Sequence, residues 1–218
     1  MNTVYSDSAV AVIIKPAGMQ SQSTPKGDGV PDILAREYGC PVFPVHRLDS
    51  ATAGLMVYAK SSAAAAALSR QITEGVFKKE YVAVVHGVPD PPVGEYTDLL
   101  YHDKNKNKSY VVKRERRGVR SASLTYDMLK TGETALGTLS AVRIRLKTGR
   151  THQIRVQFAS RSMPLVGDSR YGAADGEKRL ALFSTFLSFS HPSTGKTMSF
   201  EEDFSDLWER LFSADADK

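Results

Sequence analysis

The sequence predicts an α+β fold. Mostly apolar segments, β-branched or alternating as is typical of strands, occur at residues 10–14, 55–59, 79–87 and 141–147. Helical segments occur between some of these strands, but helices and strands do not alternate as they do in parallel βαβ units. The chain therefore contains both kinds of element without the regular order of a doubly wound sheet.

Two helices in the first half of the chain are predicted from the residues at their ends. Residues 31–38 begin with proline, which suits a first helical turn, and Gly39 can end that helix. Ser61 and Ser62 can cap a second helix that runs through a series of alanines to about Thr73.

The second half of the chain predicts further strands, at residues 123–129 and 180–189. In residues 141–147 apolar and basic side chains alternate, which predicts a half-buried strand whose outer face carries Arg143, Arg145 and Lys147.

Two more helices are predicted after this basic strand. One should run from His152 to about Ser160, with Ile154 and Phe158 on its buried face. A short last helix should begin at Ser205.

The bulk composition favours a polyanionic partner. The 218 residues include 29 Lys plus Arg and 24 Asp plus Glu, so the formal net charge is +5 and the isoelectric point is about 9.2. The single cysteine, Cys40, excludes an internal disulfide and is typical of a reducing cytosol. The chain starts without a signal-peptide pattern and its apolar runs are too short to span a bilayer. Its five histidines lack the paired spacing of a metal site.

The stretch His46-Arg47-Leu48-Asp49 is the first candidate for chemistry. It is predicted to be a loop that leads into the strand at residues 55–59. A loop carboxylate held by a rigid strand is well placed to act as a nucleophile or general base. The arginine beside it indicates an anionic substrate. A loop aspartate is equally often a turn residue or a cap, so the motif alone leaves both interpretations open.

A run of basic side chains between residues 104 and 120 is a candidate for phosphate contacts. Its members are Lys104, Lys106, Lys108, Lys113, Arg114, Arg116, Arg117 and Arg120. A solvated basic surface is the alternative interpretation of each of them.

Five segments, taken together and in this order, resemble the RluA-type pseudouridine synthases. They are Val12-Ile13-Ile14-Lys15-Pro16-Ala17-Gly18, His46-Arg47-Leu48-Asp49, the stretch from Tyr81 to Gly87, Thr148-Gly149-Arg150-Thr151-His152-Gln153-Ile154-Arg155, and Leu165-Val166-Gly167-Asp168-Ser169-Arg170-Tyr171-Gly172. The second and fourth are specific in combination. The resemblance covers about residues 10–200 and implies a pseudouridine synthase fold, with a mixed, largely antiparallel sheet and a central basic cleft.

The resemblance implies a cofactor-free isomerisation of uridine in RNA. The bond between uracil N1 and the ribose is broken, and uracil C5 is joined to the same sugar carbon. Asp49 matches the family's catalytic aspartate, and Arg155 matches the arginine that pairs with that carboxylate. Tyr81 matches the tyrosine that stacks on the uracil, and Arg47 matches the arginine that fills the space left by the flipped nucleotide.

Further residues are expected to contact or support the RNA site. The expected RNA contacts, besides Arg47, are His46, Arg150, Lys104, Lys106, Lys108, Arg143 and Arg145. Asp168 and Tyr171 match a family segment and are expected to have a supporting structural role. The chain departs from the common family pattern at Ala53, Gln157 and Phe183-Ser184, where serine, histidine and His-Ala are usual.

The sequence thus predicts a single catalytic domain over residues 1–218, without an N-terminal RNA-binding module. We expect it to act in the cytoplasm on transfer RNA, ribosomal RNA or both, with no cofactor, metal, membrane or obligate protein partner. The alternative is an RNA-binding or RNA-chaperone protein of the same fold; the intact set of Asp49, Tyr81 and Arg155 argues against it. A glycosidic hydrolase would be expected to use two carboxylates, and the sequence indicates only one.

Overall fold

The computed structural model describes residues 1–25 and 28–213. The sequence also predicts a polar loop at residues 21–29 and a frayed end at residues 215–218. Positions 26 and 27 of that loop and the whole of that end lie outside the described residues. In chain order the elements are β1 (Asn2–Ser6), β2 (Val10–Lys15), α1 (Val30–Tyr38), β3 (Phe43–Pro44), β4 (Ala53–Ala59), α2 (Ser62–Thr73), β5 (Lys78–His86), β6 (Val93–Asp103), β7 (Lys108–Val112), β8 (Val119–Thr134), β9 (Gly137–Leu146), α3 (Gln153–Ala159), a 3-10 turn (Ser169–Tyr171), β10 (Leu182–Ser190), β11 (Thr197–Glu201) and α4 (Ser205–Ser213).

These elements form two compact units. Unit 1 contains residues Met1–Lys79 and Phe183–Glu202, and unit 2 contains Glu80–Leu182 and the stretch that starts at Asp203. Within each unit of the described chain the strands pair in antiparallel fashion, apart from β4 and β10, which pair in parallel. The α+β class and the mixed, largely antiparallel pairing predicted from the sequence are confirmed.

Unit 1 is built around β4. This strand pairs with β2 and β3 in antiparallel fashion and with the start of β10 in parallel, and β1 and β11 lie outside β2 and β10. Its core contains Leu55, Val57, Leu68 and Phe189, which are fully or almost fully buried. Because β4 has a neighbour on each side, the loop that leads into it starts from a rigid base.

The two helices predicted in unit 1 are confirmed, including their ends. Ser61 accepts a hydrogen bond from the backbone N–H of Ala64 and so caps α2. Gly39 follows α1 in the left-handed conformation, which glycine adopts without strain.

Unit 2 contains an antiparallel series in the order β5, β9, β8, β6, β7. The helix α3 packs on one side of it: Phe158 contacts the rings of Tyr96 and Tyr126 at centroid distances of 5.1 Å and 5.8 Å. The sequence did not predict β6 and β7, and it placed β8 at residues 123–129 only. Polar residues interrupt the apolar alternation in both strands: Glu95, Thr97 and Asp98 in β6, and Lys108 and Ser109 in β7.

Candidate active site

The loop that carries Asp49 lies between β3 and β4 in unit 1. Buried Leu48 anchors it, and the hydroxyl of Ser21 donates a 2.9 Å hydrogen bond to the Leu48 carbonyl. The backbone N–H of Thr52 donates to the Asp49 carbonyl at 3.0 Å and closes a turn. Arg47 is exposed, and Asp49 is partly buried. The loop is therefore fixed at Leu48, and the charged residues Arg47 and Asp49 lie on either side of this buried residue in the chain.

Lys15 is a buried cation in the same unit whose role the sequence did not predict. Its side chain is fully buried, and its Nζ donates to the carbonyls of Pro16, Met19 and Ser50 at 2.8, 2.9 and 3.1 Å. Burial lowers the pKa of Lys15 to about 8, and the negative charge of Asp49 opposes this decrease. Lys15 thus places a positive charge beside the candidate nucleophile and holds the residue that follows it.

His46 is part of the core of unit 1. The residue is 7% exposed, its ring lies 5.6 Å from the ring of Phe77, and its Nε2 accepts a hydrogen bond from the backbone N–H of Val57 at 3.2 Å. Burial lowers the pKa of His46 well below its usual value, and the charge of Lys79 lowers it further. A buried, neutral ring does not support the RNA contact predicted for His46; the ring holds the loop against β4.

Tyr81 lies in unit 2, on β5. It is 4% exposed and sits opposite Ile144 of β9, which in turn sits opposite Tyr126 of β8. Residues directly opposite each other in antiparallel strands point to the same face. Tyr81 therefore shares its face with Tyr126, and α3 packs on that face through Phe158.

Arg155 lies on α3 and is buried, not on a helix surface. Every residue from Gln153 to Phe158 is buried, because α3 contacts β6, β7 and the 3-10 turn. The Nε and Nη2 atoms of Arg155 each donate a 2.7 Å hydrogen bond to one carboxylate oxygen of Asp168. This two-point contact fixes the plane of the guanidinium. The family resemblance implied only a general supporting role for Asp168, and the ion pair of Arg155 with Asp49 stays a prediction.

The start of α3 is formed by the threonine-glycine-arginine segment that the sequence singled out. His152 is in the left-handed conformation, and the Gln153 side chain accepts hydrogen bonds from the Thr148 hydroxyl at 2.8 Å and the Arg150 backbone N–H at 3.0 Å. The exposed Arg150 uses its Nε to donate to the Ser121 carbonyl at 3.0 Å. These contacts of the segment therefore fix the orientation of the start of α3.

Arg143 and Arg145 lie on the face of unit 2 opposite to Tyr81 and α3. They alternate with Ile144 on β9, so their side chains point the other way. Arg145 is bound by Glu80 at 2.7 Å and by Asp127 at 2.5 Å, and Arg143 lies 3.7 Å from Glu80. The basic outer face predicted for β9 exists, but carboxylates pair with its charges. This placement does not support phosphate contacts at the site of Arg155.

Lys104 and Lys106 lie at the exposed tip of the hairpin formed by β6 and β7, and Lys108 begins β7. Asp103 accepts hydrogen bonds from the backbone N–H groups of Asn105 and Lys106 at 2.9 and 3.0 Å and so shapes the turn. The lysine side chains at the tip project from a defined turn and can reach a phosphate.

The departures from the family pattern have distinct surroundings. Gln157 is fully buried, and its amide nitrogen donates to Asp98 at 2.7 Å. Ser184 is also fully buried, and its hydroxyl has no hydrogen-bond partner among residues 1–25 and 28–213. Ser184 sits opposite Gly54 in the parallel pair of β4 with β10, just after the Asp49 loop.

In the described part of the chain, no group of three or more His, Cys, Asp or Glu side chains could hold a metal ion. In the same part, every helix is too short or too polar to cross a membrane.

Comparisons with known proteins place these features in a family. The family model for RNA pseudouridylate synthase matches residues 9–160. Ribosomal large subunit pseudouridine synthase C of Buchnera aphidicola subsp. Schizaphis graminum is 33% identical, over 90% of this chain and 65% of its own. The dual-specificity RNA pseudouridine synthase RluA of Escherichia coli O157:H7 is also 33% identical, over 91% of this chain and 90% of its own.

A solved structure shows the same fold. Human RNA pseudouridylate synthase domain containing 1 matches with a TM-score of 0.78 and 22% identity, over 95% of this chain and 85% of the human chain. This chain spans about two thirds of the length of the Buchnera relative and most of the length of the Escherichia relative.

Proposed function

The chain belongs to the RluA-type RNA pseudouridine synthase family, and from this membership we propose that it isomerises uridine to pseudouridine in structured RNA. The observation that carries the proposal is the Asp49 loop, which is anchored by Leu48 and accompanied by the buried ammonium group of Lys15. An RNA-binding surface alone does not require a carboxylate held in this way, because a carboxylate repels phosphate.

The proposed reaction conserves every atom of the uridine except one exchanged hydrogen. The bond from N1 to the sugar breaks, the uracil turns, and a bond forms from C5 to the same sugar carbon. C5 gives up its hydrogen to water, and N1 gains a proton. The substrate atom that distinguishes this reaction from hydrolysis is therefore the hydrogen on C5.

We assign the catalytic roles according to the family resemblance. Asp49 is the nucleophile, Tyr81 stacks on the extruded uracil, and Arg155 provides the opposite charge that keeps a carboxylate ionised in a dry site. Arg47, which is exposed beside Asp49, takes the place of the flipped nucleotide.

The proposed substrate class is folded transfer RNA, ribosomal RNA or both. The names of the two bacterial relatives refer to the large ribosomal subunit and to dual specificity for RNA. The net charge of +5 and the exposed lysines of the β6–β7 tip fit a large polyanion of this kind.

Tritium release tests the proposal. RNA labelled with tritium at uridine C5 is prepared as unmodified bulk transfer RNA and as ribosomal RNA, and each pool is incubated with the wild-type chain and with Asp49→Ala. Release that depends on Asp49 is expected from at least one pool. The matched control is Asp28→Ala, which removes an exposed carboxylate of the same unit that binds Arg36. Absence of release from both pools, with RNA binding retained, would contradict the proposed isomerase and favour an RNA-binding role.

A further inference from the structure

The segment from Asp168 to Tyr171 contacts two functionally distinct parts of unit 2. Asp168 binds Arg155 through two hydrogen bonds. The next residues bind the tip of the β6–β7 hairpin, which carries the exposed lysines. The same short turn thus holds both the buried arginine and the basic hairpin.

Arg170 binds the backbone of the hairpin tip. Its Nη1 donates to the carbonyls of Lys106 and Asn107 at 3.2 and 3.3 Å. The guanidinium group therefore fixes the turn from which Lys104 and Lys106 project.

Tyr171 links the hairpin to α3. Its hydroxyl accepts a hydrogen bond from the Ser109 backbone N–H at 2.8 Å and shares a 2.9 Å hydrogen bond with His152 Nδ1. Strand β7 is the outermost strand of the series in unit 2, and this contact uses one of its N–H groups. The Tyr171 ring centroid is 5.1 Å from Arg155 Cζ and also 5.1 Å from Lys108 Nζ. One aromatic ring therefore contacts a cation of the hairpin and the guanidinium of α3.

We propose that Arg170 and Tyr171 are positioning residues that fix the basic hairpin tip relative to Arg155, so that an RNA backbone held at the tip lies at a set distance from that arginine. This inference rests on the proposed function. Phosphate contacts determine the register and orientation of a nucleic acid, although they do not read its sequence. An error of about 1 Å in register is enough to cost on the order of a hundredfold in rate.

Two conservative variants separate the hairpin contacts from the Arg155 pair. Arg170→Gln removes the charge that binds the tip carbonyls, and its site is exposed, so the core is not disturbed. Tyr171→Phe removes the hydroxyl and leaves the ring on Arg155. The matched controls are Arg210→Gln, which affects an exposed pair with Glu177, and Tyr110→Phe, at the exposed tyrosine of β7.

Binding and single-turnover rate are measured separately. At saturating RNA we expect each test variant to lose on the order of tenfold in rate, while its Kd for RNA stays within about threefold of wild type. Both controls should match wild type. A purely structural role predicts instead a lower melting temperature with an unchanged rate for the folded fraction. Wild-type rates in both folded test variants would overturn the proposal.

A readout without turnover distinguishes failure of this inference from failure of the proposed function. The probe is a short stem-loop RNA that contains no uridine, and the signal is the nitrogen-15 resonance of Arg155 Nε, whose hydrogen is bound by Asp168. Addition of the probe should shift this resonance in the wild type and shift it much less in Arg170→Gln and Tyr171→Phe. This outcome, in a chain that releases no tritium, would support the positioning role while contradicting the isomerase. An equal shift in all three proteins, or no shift in the wild type, would overturn the positioning role.

Discussion

Arg155 and Asp168 form a buried ion pair within unit 2, with two hydrogen bonds of 2.7 Å and side chains that are 8% and 1% exposed. Their separation of 13 residues carries the chain from α3 to the 3-10 turn. Moving two charges out of water costs free energy, which their mutual attraction offsets. Removal of one partner of such a pair is therefore strongly destabilising.

The first prediction concerns this pair. Asp168→Asn keeps the shape of the side chain but replaces the carboxylate that accepts both hydrogen bonds from buried Arg155 by a neutral amide. We expect the free energy of unfolding to decrease by about 3 kcal/mol. Urea unfolding measures this change. Asp127→Asn, which removes an exposed partner of Arg145, is the control and should cost less than about 1 kcal/mol. If both substitutions lowered the free energy of unfolding equally, the buried Arg155–Asp168 pair would stabilise the chain no more than the Arg145–Asp127 pair does.

The second prediction concerns the candidate nucleophile. Asp49→Ala should abolish tritium release and leave the Kd for RNA within about threefold, because RNA affinity rests mainly on phosphate contacts. Filter binding at two salt concentrations measures the affinity. Loss of RNA binding in a variant with an unchanged melting temperature would count against the role assigned to Asp49.

The third prediction concerns Lys15 and pH. Its pKa in the folded chain is about 8, below the value of 10.5 expected when it is unfolded. Between these two pH values the unfolded state binds more protons than the folded state, so this group makes stability rise with pH. Comparison of wild type with Lys15→Met from pH 7 to 11 should show a pH-dependent difference of about 3 kcal/mol, measured by urea unfolding. Parallel stability curves for the two proteins would contradict the depressed pKa.

The fourth prediction separates the two basic surfaces of unit 2. The double substitution of Lys104 and Lys106 by alanine should weaken RNA binding and lower its dependence on salt, since each lost phosphate contact reduces the number of released counterions. Arg145→Gln, on the opposite face and already paired with two carboxylates, should leave both quantities unchanged. The reverse result would place the RNA on the outer face of β9.

The fifth prediction concerns the parallel strand pair beside the Asp49 loop. Gly54 has a φ of +121°, and a Cβ atom at this position would lie 2.3 Å from the Ser184 carbonyl oxygen. Gly54→Ala should therefore destabilise the chain by about 3 kcal/mol, through strain and the forced separation of β4 and β10. Gly39→Ala, where a Cβ meets no atom within 4 Å, controls for the left-handed backbone alone. If both substitutions lowered the stability equally, the close approach of residue 54 to β10 would add nothing to the cost of the backbone conformation.

Local sequence patterns were sufficient to predict the helices and strands that are determined by residues close together in the chain. The ends of α2 follow from Ser61 and the alanine series, and the end of α1 follows from Gly39. The strand β4 was predicted from five consecutive apolar residues, and its position fixed the loop that carries Asp49.

Contacts between distant segments could not be predicted from local patterns. The alternation in β9 correctly indicated a basic face, but only the strand order shows that Glu80 and Asp127 neutralise Arg145 and that this face is opposite to α3. The buried contacts of Lys15 could not be predicted from neighbouring residues, because its bond to the Ser50 carbonyl joins positions 35 residues apart. The family resemblance supplied the roles of Asp49, Tyr81 and Arg155, and the structure supplied Asp168 as the partner of Arg155.

The discontinuous composition of unit 1 has a consequence for the order of events during protein synthesis. Residues 1–79 leave the ribosome before the residues of unit 2, but one edge of β4 cannot pair with β10 until β5 to β9 and α3 have been made. At elongation rates of about 5–20 residues per second, the edge at Gly54 stays uncovered for several seconds while the strands of unit 2 can already pair. The nascent chain therefore passes through a stage in which Asp49, the candidate nucleophile, has been made, but β10, which pairs with the strand after the Asp49 loop, has not.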